Sequence, residues 1–476
     1  MAERVPFGIE GLDAAVGGGF PRGSLLLLAG NPGAGKTVFS TQFLYKGAAS
    51  GEPGVYVSFA EDKDLLIRHA SSHLGCDLEG LEKDGKLRVL DLATMKGEGV
   101  SASLELVVRE IASIGAKRLV IDSFSAMAQA FEEPLESRII IHTVLGKIVR
   151  KMGCTTVLIV EVPLGGARIG LGVEEFVADG VIVLKAGEFD GRLLRELELV
   201  KLRGIELKER KLVFTLKDGF KVFPPFKPKP VGKTGRFQPI PDPPDRFSTG
   251  SEDLDEMLGG GYPKGGGVLL EIAEKMATLE YHLFVVPTAM NFLAQGRGVI
   301  TIPTAGVDAE LIKKRLMEYG ATEDEINRLL KVCEARYPGT DQSKPYTVVF
   351  DGKGVEKDYA EWLRIEDELM RETGQPALSI TGLDALANLY GPEACGRILS
   401  LDAIRMRSHD TMAVVITKPG YEDLAKKLSA QAETHLKLTR EHGALLVYGV
   451  KPRTGLCAVE TDTSKGYAMP KLTPIV

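Results

Sequence analysis

The segment LLLLAGNPGAGKTVFSTQFLYKGAA, residues 25–49, decides the fold. Within it, GNPGAGKT at residues 30–37 fills every position of the phosphate-loop pattern G-x-x-x-x-G-K-[ST]. The loop follows an apolar run typical of a buried strand and precedes a stretch typical of a helix. A glycine-rich turn that matched by chance would lack this strand–loop–helix context. We therefore predict a parallel α/β domain built around the loop.

The residue types of this loop indicate what it binds. Its glycines let the backbone curl so that N–H groups point at phosphate oxygens, and the helix that follows adds its positive dipole end. Lys36 is placed to reach the β- and γ-phosphates, and the Thr37 hydroxyl to complete a Mg²⁺ shell. The predicted cofactors are therefore ATP and Mg²⁺. The predicted contacts are Gly30, Asn31, Pro32, Gly33, Ala34, Gly35, Lys36, Thr37 and Val38.

Carboxylates at the ends of three further apolar runs are candidates for the rest of the site. Asp122 ends RLVID and is expected to orient Mg²⁺ through water, with an Asp that caps the next turn as the alternative. Glu61, or Asp62 beside it, could activate the attacking water or simply begin a solvated helix. Glu161 ends TTVLIVE and is interpreted equally as a γ-phosphate sensor or a loop carboxylate.

Two pairs of closely spaced basic residues are candidates for a functional role. LVKLRG places Lys201 and Arg203 two residues apart, on one side of a predicted strand. Two such cations are usually a solvated edge, and they gain a function only opposite a partner that presents phosphate. His69 and His73 lie four apart on a predicted helix, and we interpret them as surface residues because no third metal ligand is evident nearby.

The chain repeats its own beginning. PFGIEGLDAAVGGGFPRGSLLLL at 6–28 matches STGSEDLDEMLGGGYPKGGGVLL at 248–270, at an offset of 242 positions (250 − 8). Eight prolines between positions 224 and 244 exclude a helix or central strand there and predict a semi-rigid connector. We predict a first domain at 1–223, a linker at 224–245 and a second domain of the same fold at 246–476.

The second copy loses the loop itself. At the same offset, Gly35, Lys36 and Thr37 correspond to Ala277, Thr278 and Leu279, and no glycine lies between positions 267 and 296. The alignment of IDSFSA with ITGLDA sets Thr381 opposite Asp122. We therefore expect no nucleotide hydrolysis in the second domain. Lys451 and Arg453 match Lys201 and Arg203, either as the relic of an interface or as an anion-binding pair.

Composition limits the function classes. Hydrophobic residues make up 44% of the chain and charged residues 26%, which is ordinary for a soluble globular protein. The net charge of −6 gives no electrostatic support for bulk nucleic-acid or membrane binding. The five scattered cysteines suit reduced thiols in the cytoplasm. No apolar run reaches the roughly 18 residues of a membrane helix. We expect a cytoplasmic protein without a membrane partner.

Taken together, the motifs resemble a known family. PFGIEGLDAAVGGGFPRG, GNPGAGKT, YVSFAED, VIDSFSAM, GVEEFVADGVIVLK and LELVKLRG stand in the order found in the KaiC-like branch of the RecA-superfamily ATPases. The resemblance covers residues 4–223. It implies RecA-like domains that occur in tandem in some members, a ring that is commonly hexameric, and ATP held between neighbouring subunits. It also implies that Lys201 and Arg203 reach the neighbour's nucleotide as electrostatic stabilisers.

One position departs from the family pattern. Ala60 stands where the family usually has a glutamate that acts as the base. Glu61 or Asp62 could take over, or hydrolysis is very slow and the protein is an ATP-binding switch. ATP binding is therefore a safer prediction than turnover.

Three functional hypotheses follow. The leading one is a Mg-ATP-binding, ring-forming regulatory ATPase whose second domain serves assembly or partner binding. A RecA/RadA-type repair or recombination ATPase is disfavoured by the acidic balance, and Arg168 is the one cation in the loop VPLGGARIGLGVEEF. A signalling or transcriptional regulator, like the archaeal gas-vesicle regulators, would act through an unidentified protein partner.

Overall fold

A computed structural model describes residues 3–59, 61–92, 99–128, 148, 151–163, 178–336 and 343–476. They form two compact units. The first unit comprises Met1–Pro225, Glu441–Ala444 and Pro474–Val476, and the second comprises Phe226–Arg440 and Leu445–Thr473. Arg168 and Ala60 lie outside the described residues.

The first unit alternates strands and helices, as the sequence predicts. Its strands are β1 Arg4–Val5, β2 Phe20–Pro21, β3 Leu25–Gly30, β4 Gly54–Ser58, β5 Leu87–Asp91, β6 Arg118–Asp122, β7 Thr155–Glu161, β8 Gly180–Phe189, β9 Arg192–Leu202, β10 Lys211–Thr215 and β11 Lys221–Phe223. Its helices are α1 Leu12–Ala15, α2 Lys36–Ala49, α3 Lys63–Leu74, α4 Leu78–Lys83, α5 Gly99–Ile114 and α6 Phe124–Ala128.

The large sheet of this unit has the order β11-β10-β9-β8-β3-β7-β6-β4-β5. The strands from β8 to β5 are parallel, whereas β9, β10 and β11 add antiparallel hairpins at one side. β3 is buried at every position because hydrophobic cores cover both faces of the sheet. The predicted mainly parallel α/β sheet is confirmed.

The second unit repeats this pattern after two short strands, β12 Arg246–Phe247 and β13 Tyr262–Pro263. Its remaining strands are β14 Gly267–Ile272, β15 Val299–Ile302, β16 Leu330–Ala335, β17 Thr347–Phe350, β18 Leu378–Gly382, β19 Met412–Thr417, β20 Thr434–Glu441, β21 Ala444–Lys451, β22 Cys457–Asp462 and β23 Met469–Pro474. Its helices are α7 Glu252–Leu258, α8 Thr278–Ala294, α9 Ala309–Glu318, α10 Glu323–Leu329, α11 Val355–Thr373, α12 Leu383–Tyr390, α13 Pro392–His409 and α14 Glu422–Gln431.

The two sheets share one topology. The second runs β17-β16-β15-β18-β19-β14-β20-β21-β22-β23, which is the order of the first sheet with one strand, β17, added at the edge. α8 follows β14 as α2 follows β3, and both helices start at the residues that the offset of 242 pairs, Lys36 and Thr278. The chain is therefore a tandem of two RecA-like domains, as predicted.

The proline-rich segment contains no helix or strand up to Arg246, as its prolines require. From Phe226 onward it belongs to the second unit. Phe237 is 2% exposed, packs its ring near those of Tyr319 and Tyr467, and donates its backbone N–H to the Tyr319 carbonyl at 2.9 Å. Much of the predicted connector is therefore a packed part of the second unit.

None of the helices that the structure describes is both long and apolar enough to cross a membrane.

Candidate functional site

The phosphate loop connects the carboxyl end of β3 to the first turn of α2. Gly33 and Gly35 have φ values of +74° and +96°, which side-chain-bearing residues rarely adopt. Gly30 has no room for a side chain, since an added Cβ would lie 2.7 Å from the Leu184 carbonyl oxygen. The glycine positions are thus required by the backbone, and Gly35 directly precedes the amino-terminal N–H groups of α2.

Lys36 begins α2 and folds back over the loop. Its ammonium donates to the carbonyl oxygens of Gly30 at 2.9 Å and Asn31 at 3.0 Å. Burial lowers the pKa of Lys36, and the nearby carboxylates of Glu161 and Asp122 oppose that shift. These two hydrogen bonds hold the cation at the loop, where a phosphate oxygen would exchange for the carbonyls.

Asp122 and Thr37 meet at the edge of the sheet, as the sequence predicts for a magnesium site. The Thr37 hydroxyl lies 3.4 Å from Asp122 Oδ2, and the buried Tyr56 hydroxyl donates to the same oxygen at 2.5 Å. Burial raises the pKa of Asp122, while the Tyr56 hydrogen bond and the Lys36 charge oppose the rise. A hydroxyl beside a carboxylate is an oxygen donor set that fits Mg²⁺.

Glu61 and Asp62, the candidate bases, have different surroundings. The Glu61 carboxylate faces His69 Nδ1 at 3.4 Å, and its backbone N–H and carbonyl both bond the Ser58 hydroxyl. Asp62 accepts from the N–H groups of Asp64 and Leu65 and is the N-cap of α3. Asp62 thus has a structural role as the cap of α3. Glu61 does not cap a helix and remains the candidate base. Among the described residues, no group of three or more His, Cys, Asp and Glu side chains could hold a metal ion.

Two contacts to the loop were not foreseen from the sequence. Asn31 Nδ2 donates to the carbonyls of Val162 and Pro163, which ties the loop to the chain just after β7. Arg195 of β9 donates to the Gly33 carbonyl at 3.1 Å and to the Val476 carbonyl at 2.5 Å. No motif marks Arg195, because its partners are backbone atoms distant in sequence.

Glu161 ends β7 next to the loop. It pairs with Gly30 in the parallel register of β3 and β7, and its backbone N–H donates to the Ser125 hydroxyl at 3.0 Å. The residue is exposed. Both interpretations of its carboxylate, sensor or loop residue, stay open at this position.

Lys201 and Arg203 lie at the end of β9 and just beyond it. Lys201 donates to the Ala178 carbonyl at 2.8 Å, and Arg203 lies 3.3 Å from Asp179 with its side chain 55% exposed. In the second unit, Lys451 donates to the Ser429 carbonyl at 2.8 Å, at the end of α14. The two lysines therefore make the same kind of contact. Each donates to a backbone carbonyl shortly before a strand, β8 in the first unit and β20 in the second.

The second unit carries a carboxylate where the first presents a phosphate loop. Glu280 lies in the first turn of α8, accepts the Ala277 N–H at 3.1 Å and forms an ion pair with Arg440. Its side chain is 6% exposed. An anion at a helix amino terminus satisfies the free N–H groups and the positive dipole end. Glu280 thus occupies, from within the chain, the type of position that a phosphate takes.

Strand pairing corrects one sequence alignment. Val120 pairs with Val157, which pairs with Leu26, and in the second unit Ile380 pairs with Val414, which pairs with Val268. Since Leu26 and Val268 differ by 242, the counterpart of Asp122 is Gly382. The prediction of Thr381 was wrong by one residue because the motif alignment ignored which sheet face each side chain takes. Neither residue supplies a carboxylate.

In the comparisons with known proteins, different family models match the first and the second part of the chain. The family model described as KaiC ATPase matches residues 5–226, and the model described as GvpD basic region 2 matches residues 236–337. The circadian clock oscillator protein KaiC of Thermostichus vulcanus is 33% identical over 277 residues, which cover 56% of this chain and 51% of that protein. The chain thus spans about half the length of the clock proteins it matches.

Two archaeal proteins are matched along nearly their whole length by about half of this chain. A UPF0273 protein of Pyrococcus horikoshii is 34% identical over 240 residues, covering 47% of this chain and 95% of that protein. The crystal structure of a KaiC-like protein from the same organism has 39% identity and a TM-score of 0.43, and covers 47% of this chain and all of that one. On the family model, the similar curated proteins and the sequence motifs, the chain belongs to the KaiC-like family of RecA-superfamily ATPases.

Proposed function

We propose that the domain at residues 1–223 binds one Mg-ATP and that the domain at residues 246–476 binds none. The observation that carries this proposal is the contrast between two sheets of the same strand order. One presents a glycine loop with Lys36 at its helix start, and the other a buried Glu280. Because nucleotide binding depends on backbone N–H groups and a cation around phosphate, only the first domain meets the requirement.

In this proposal each residue of the loop has a defined task. The backbone N–H groups between Gly30 and Val38, except at Pro32, which has none, surround the phosphates, and Lys36 exchanges its two carbonyl partners for phosphate oxygens. Thr37 and Asp122 hold Mg²⁺. When bound, Mg²⁺ neutralises phosphate charge.

Hydrolysis is proposed to be weak. Glu61 is the residue we assign to activate water, and it lies at a strand end from which a carboxylate can approach the phosphates. Its contact with His69 must rearrange first, since the carboxylate faces that side chain at 3.4 Å. The alanine at position 60 removes the glutamate usually found there.

Assembly completes the proposal. We assign Lys201 and Arg203 to the nucleotide of a neighbouring copy, in a homo-oligomeric ring like that implied by the family resemblance. The half-exposed Arg203 guanidinium favours this role, because its one recorded ion pair, with Asp179, leaves much of the group open to solvent. The second domain then serves as a platform for assembly or for an unidentified protein partner in the cytoplasm.

A regulatory role is favoured over DNA repair. The match of residues 236–337 to GvpD basic region 2 lies across the start of the second unit and supports a regulator that acts through a partner. The recombination alternative predicts DNA binding. A gel shift at low salt with ATP would reveal such binding, and its appearance would favour that alternative.

The deciding experiment counts nucleotides. Equilibrium titration of the full chain with ATP and Mg²⁺ should give one site per chain, and Lys36→Ala should abolish it. Lys275→Ala, in the matching loop of the second unit, is the control and should leave the count at one. Two sites per chain, or one that survives Lys36→Ala, would overturn the proposal.

A further inference from the structure

Tyr56 is a polar residue in the core of the first unit that the mechanism above does not use. It lies on β4 with 1% of its surface exposed, and its ring belongs to the cluster that holds Phe39, Phe43 and Val120. Its hydroxyl reaches out of that cluster to Asp122 Oδ2 at 2.5 Å. The ring thus packs in the hydrophobic core, whereas the hydroxyl bonds the Asp122 carboxylate of the proposed magnesium site.

Strand register explains how the two residues meet. In the parallel pair of β4 and β6, Tyr56 lies opposite Val120 and Ser58 opposite Asp122. The tyrosine is therefore two residues short of the strand end and on the same sheet face as the carboxylate, so its long side chain spans the gap. Thr37 approaches the same oxygen at 3.4 Å. Two hydroxyls on Oδ2 fix the rotation of the carboxylate and leave Oδ1 in a defined direction.

The second unit offers an internal comparison. The pairing of Thr301 with Ile380 makes Thr301 the counterpart of Tyr56, and Gly382 is the counterpart of Asp122. Thr301 is buried on the same type of sheet position, at 4% exposure. The unit without a phosphate loop therefore lacks both the tyrosine and the aspartate. Since its sheet packs without them, the contact between Tyr56 and Asp122 is not a requirement of sheet packing.

We propose that Tyr56 is a positioning residue that orients the Asp122 carboxylate for Mg²⁺ through its hydroxyl. This inference rests on the proposed function, because it assigns a task within the same site. Buried groups that orient a metal-side carboxylate typically change metal affinity by about tenfold or more when removed. We expect the effect in the magnesium-dependent part of nucleotide binding, since the loop residue that hydrogen-bonds Tyr56 is Thr37, which we also assign to Mg²⁺.

The test separates magnesium from nucleotide. We would measure the Kd of ATP by titration calorimetry on the full chain, once with Mg²⁺ and once with EDTA, for wild type and Tyr56→Phe. The variant should weaken binding roughly tenfold with Mg²⁺ and leave the EDTA value unchanged. Tyr281→Phe is the matched control, because its hydroxyl is equally buried but bonds Thr304 in the second unit. It should change neither value.

A thermodynamic cycle covers the case in which Tyr56→Phe also loosens the fold. In an Asp122→Asn background, adding Tyr56→Phe should have no further effect on the magnesium-dependent increment, because the carboxylate it orients is gone. Equal weakening in Mg²⁺ and EDTA, or full additivity in the cycle, would overturn the role of Tyr56. A wild type that binds ATP equally with Mg²⁺ and EDTA would instead refute the proposed magnesium site itself.

Discussion

At the scale of the single residue, the proposed turnover of ATP depends on Glu61. Its backbone is fixed by two hydrogen bonds with the Ser58 hydroxyl, so its position is set by the end of β4. Its carboxylate is not fixed in the same way, since its recorded partner is His69 on the exposed side of α3 at 3.4 Å. The backbone therefore places this residue, and rotation of one side chain decides its role.

Glu61→Gln tests that role. If Glu61 activates the attacking water, the substitution should slow ATP hydrolysis by about a hundredfold while the Kd of Mg-ATP stays the same. Steady-state phosphate release and equilibrium binding measure the two quantities. Asp62→Asn, at the adjacent position, is the control. It should change neither the hydrolysis rate nor the Kd, because Asp62 caps α3 and asparagine caps equally well. An unchanged rate in Glu61→Gln would remove Glu61 from the mechanism.

Other single residues show the limits of sequence reading. The loop and Asp122 were predicted because their meaning lies in local spacing beside a strand and a helix. Tyr56 was not, since a tyrosine in an apolar run indicates core and its partner is 66 residues away. Glu280 looks like an ordinary first-turn glutamate until Arg440 is brought to it.

Among the elements, the start of α8 holds a carboxylate of the chain itself where α2 begins with the phosphate loop. Glu280 satisfies the Ala277 N–H and pairs with Arg440 on β20. On β14, burial raises the pKa of Glu271, but hydrogen bonds from His435 and Lys437 hold it below its usual value. At this helix terminus the carboxylate and its cation thus both come from within the chain.

Glu280→Ala should therefore be costly. It would leave Arg440 without its partner and the helix start uncapped, and we expect a loss of about 2–4 kcal/mol of unfolding free energy in the second unit. Urea unfolding would measure the loss. Glu356→Ala, which breaks an exposed pair with Arg397, is the control and should cost below about 1 kcal/mol. The Glu280 variant should gain no ATP site, since the lysine and the glycines are still absent.

α10 carries a pH-dependent contact with the proline-rich segment. Hydrogen bonds from Arg236 and Thr322 lower the pKa of Glu325 from 4.5 to about 2. Because the folded pKa lies below the unfolded one, the stabilisation is complete above about pH 4.5 and is lost as the pH falls towards about 2. The urea midpoint should therefore differ between wild type and Glu325→Gln near neutrality and converge in acid. A difference that persists at low pH would contradict this assignment.

Two edge strands were missed in the sequence for a shared reason. β5 and β17 lie at corresponding edges of the two sheets, and part of their surface stays accessible. LRVLD interrupts its apolar residues with Arg88 and Asp91, and TVVF is only 4 residues long, so each gives a weak signal. The runs that end at Gly30, Asp122 and Glu161 were predicted because burial on both faces leaves a continuous apolar run.

On the scale of the whole molecule, one strand order is used twice with different helix starts. The strands and the helix positions follow the repeat, whereas Lys36 and Thr278 begin corresponding helices and give them different chemistry. A repeat of the fold could be predicted from the matching segments. The ion pairs that replace the ligand could not, because they join β14, α8 and β20, which are far apart in the chain.

The proposed ring gives a prediction at this scale. If Arg203 contacts a neighbour's nucleotide, then ATP should raise the oligomer mass of wild type, and Arg203→Ala should remove that increase. Mass photometry with and without ATP would measure it. Arg453→Ala, at the matching position of the second unit, should keep the ATP response because no nucleotide lies opposite it in this proposal. A mass that ignores ATP in wild type would exclude the nucleotide-linked interface.

The carboxylate at the start of α8 has a consequence for how the chain senses its surroundings. Glu280 is covalently attached, so its effective concentration at that helix is constant. ATP reaches the phosphate loop at a concentration that follows metabolism. In the proposed scheme the occupancy of the first domain therefore changes with the ATP concentration. The second domain keeps the same charge at its helix start at every ATP concentration, so it provides a constant reference within the same chain.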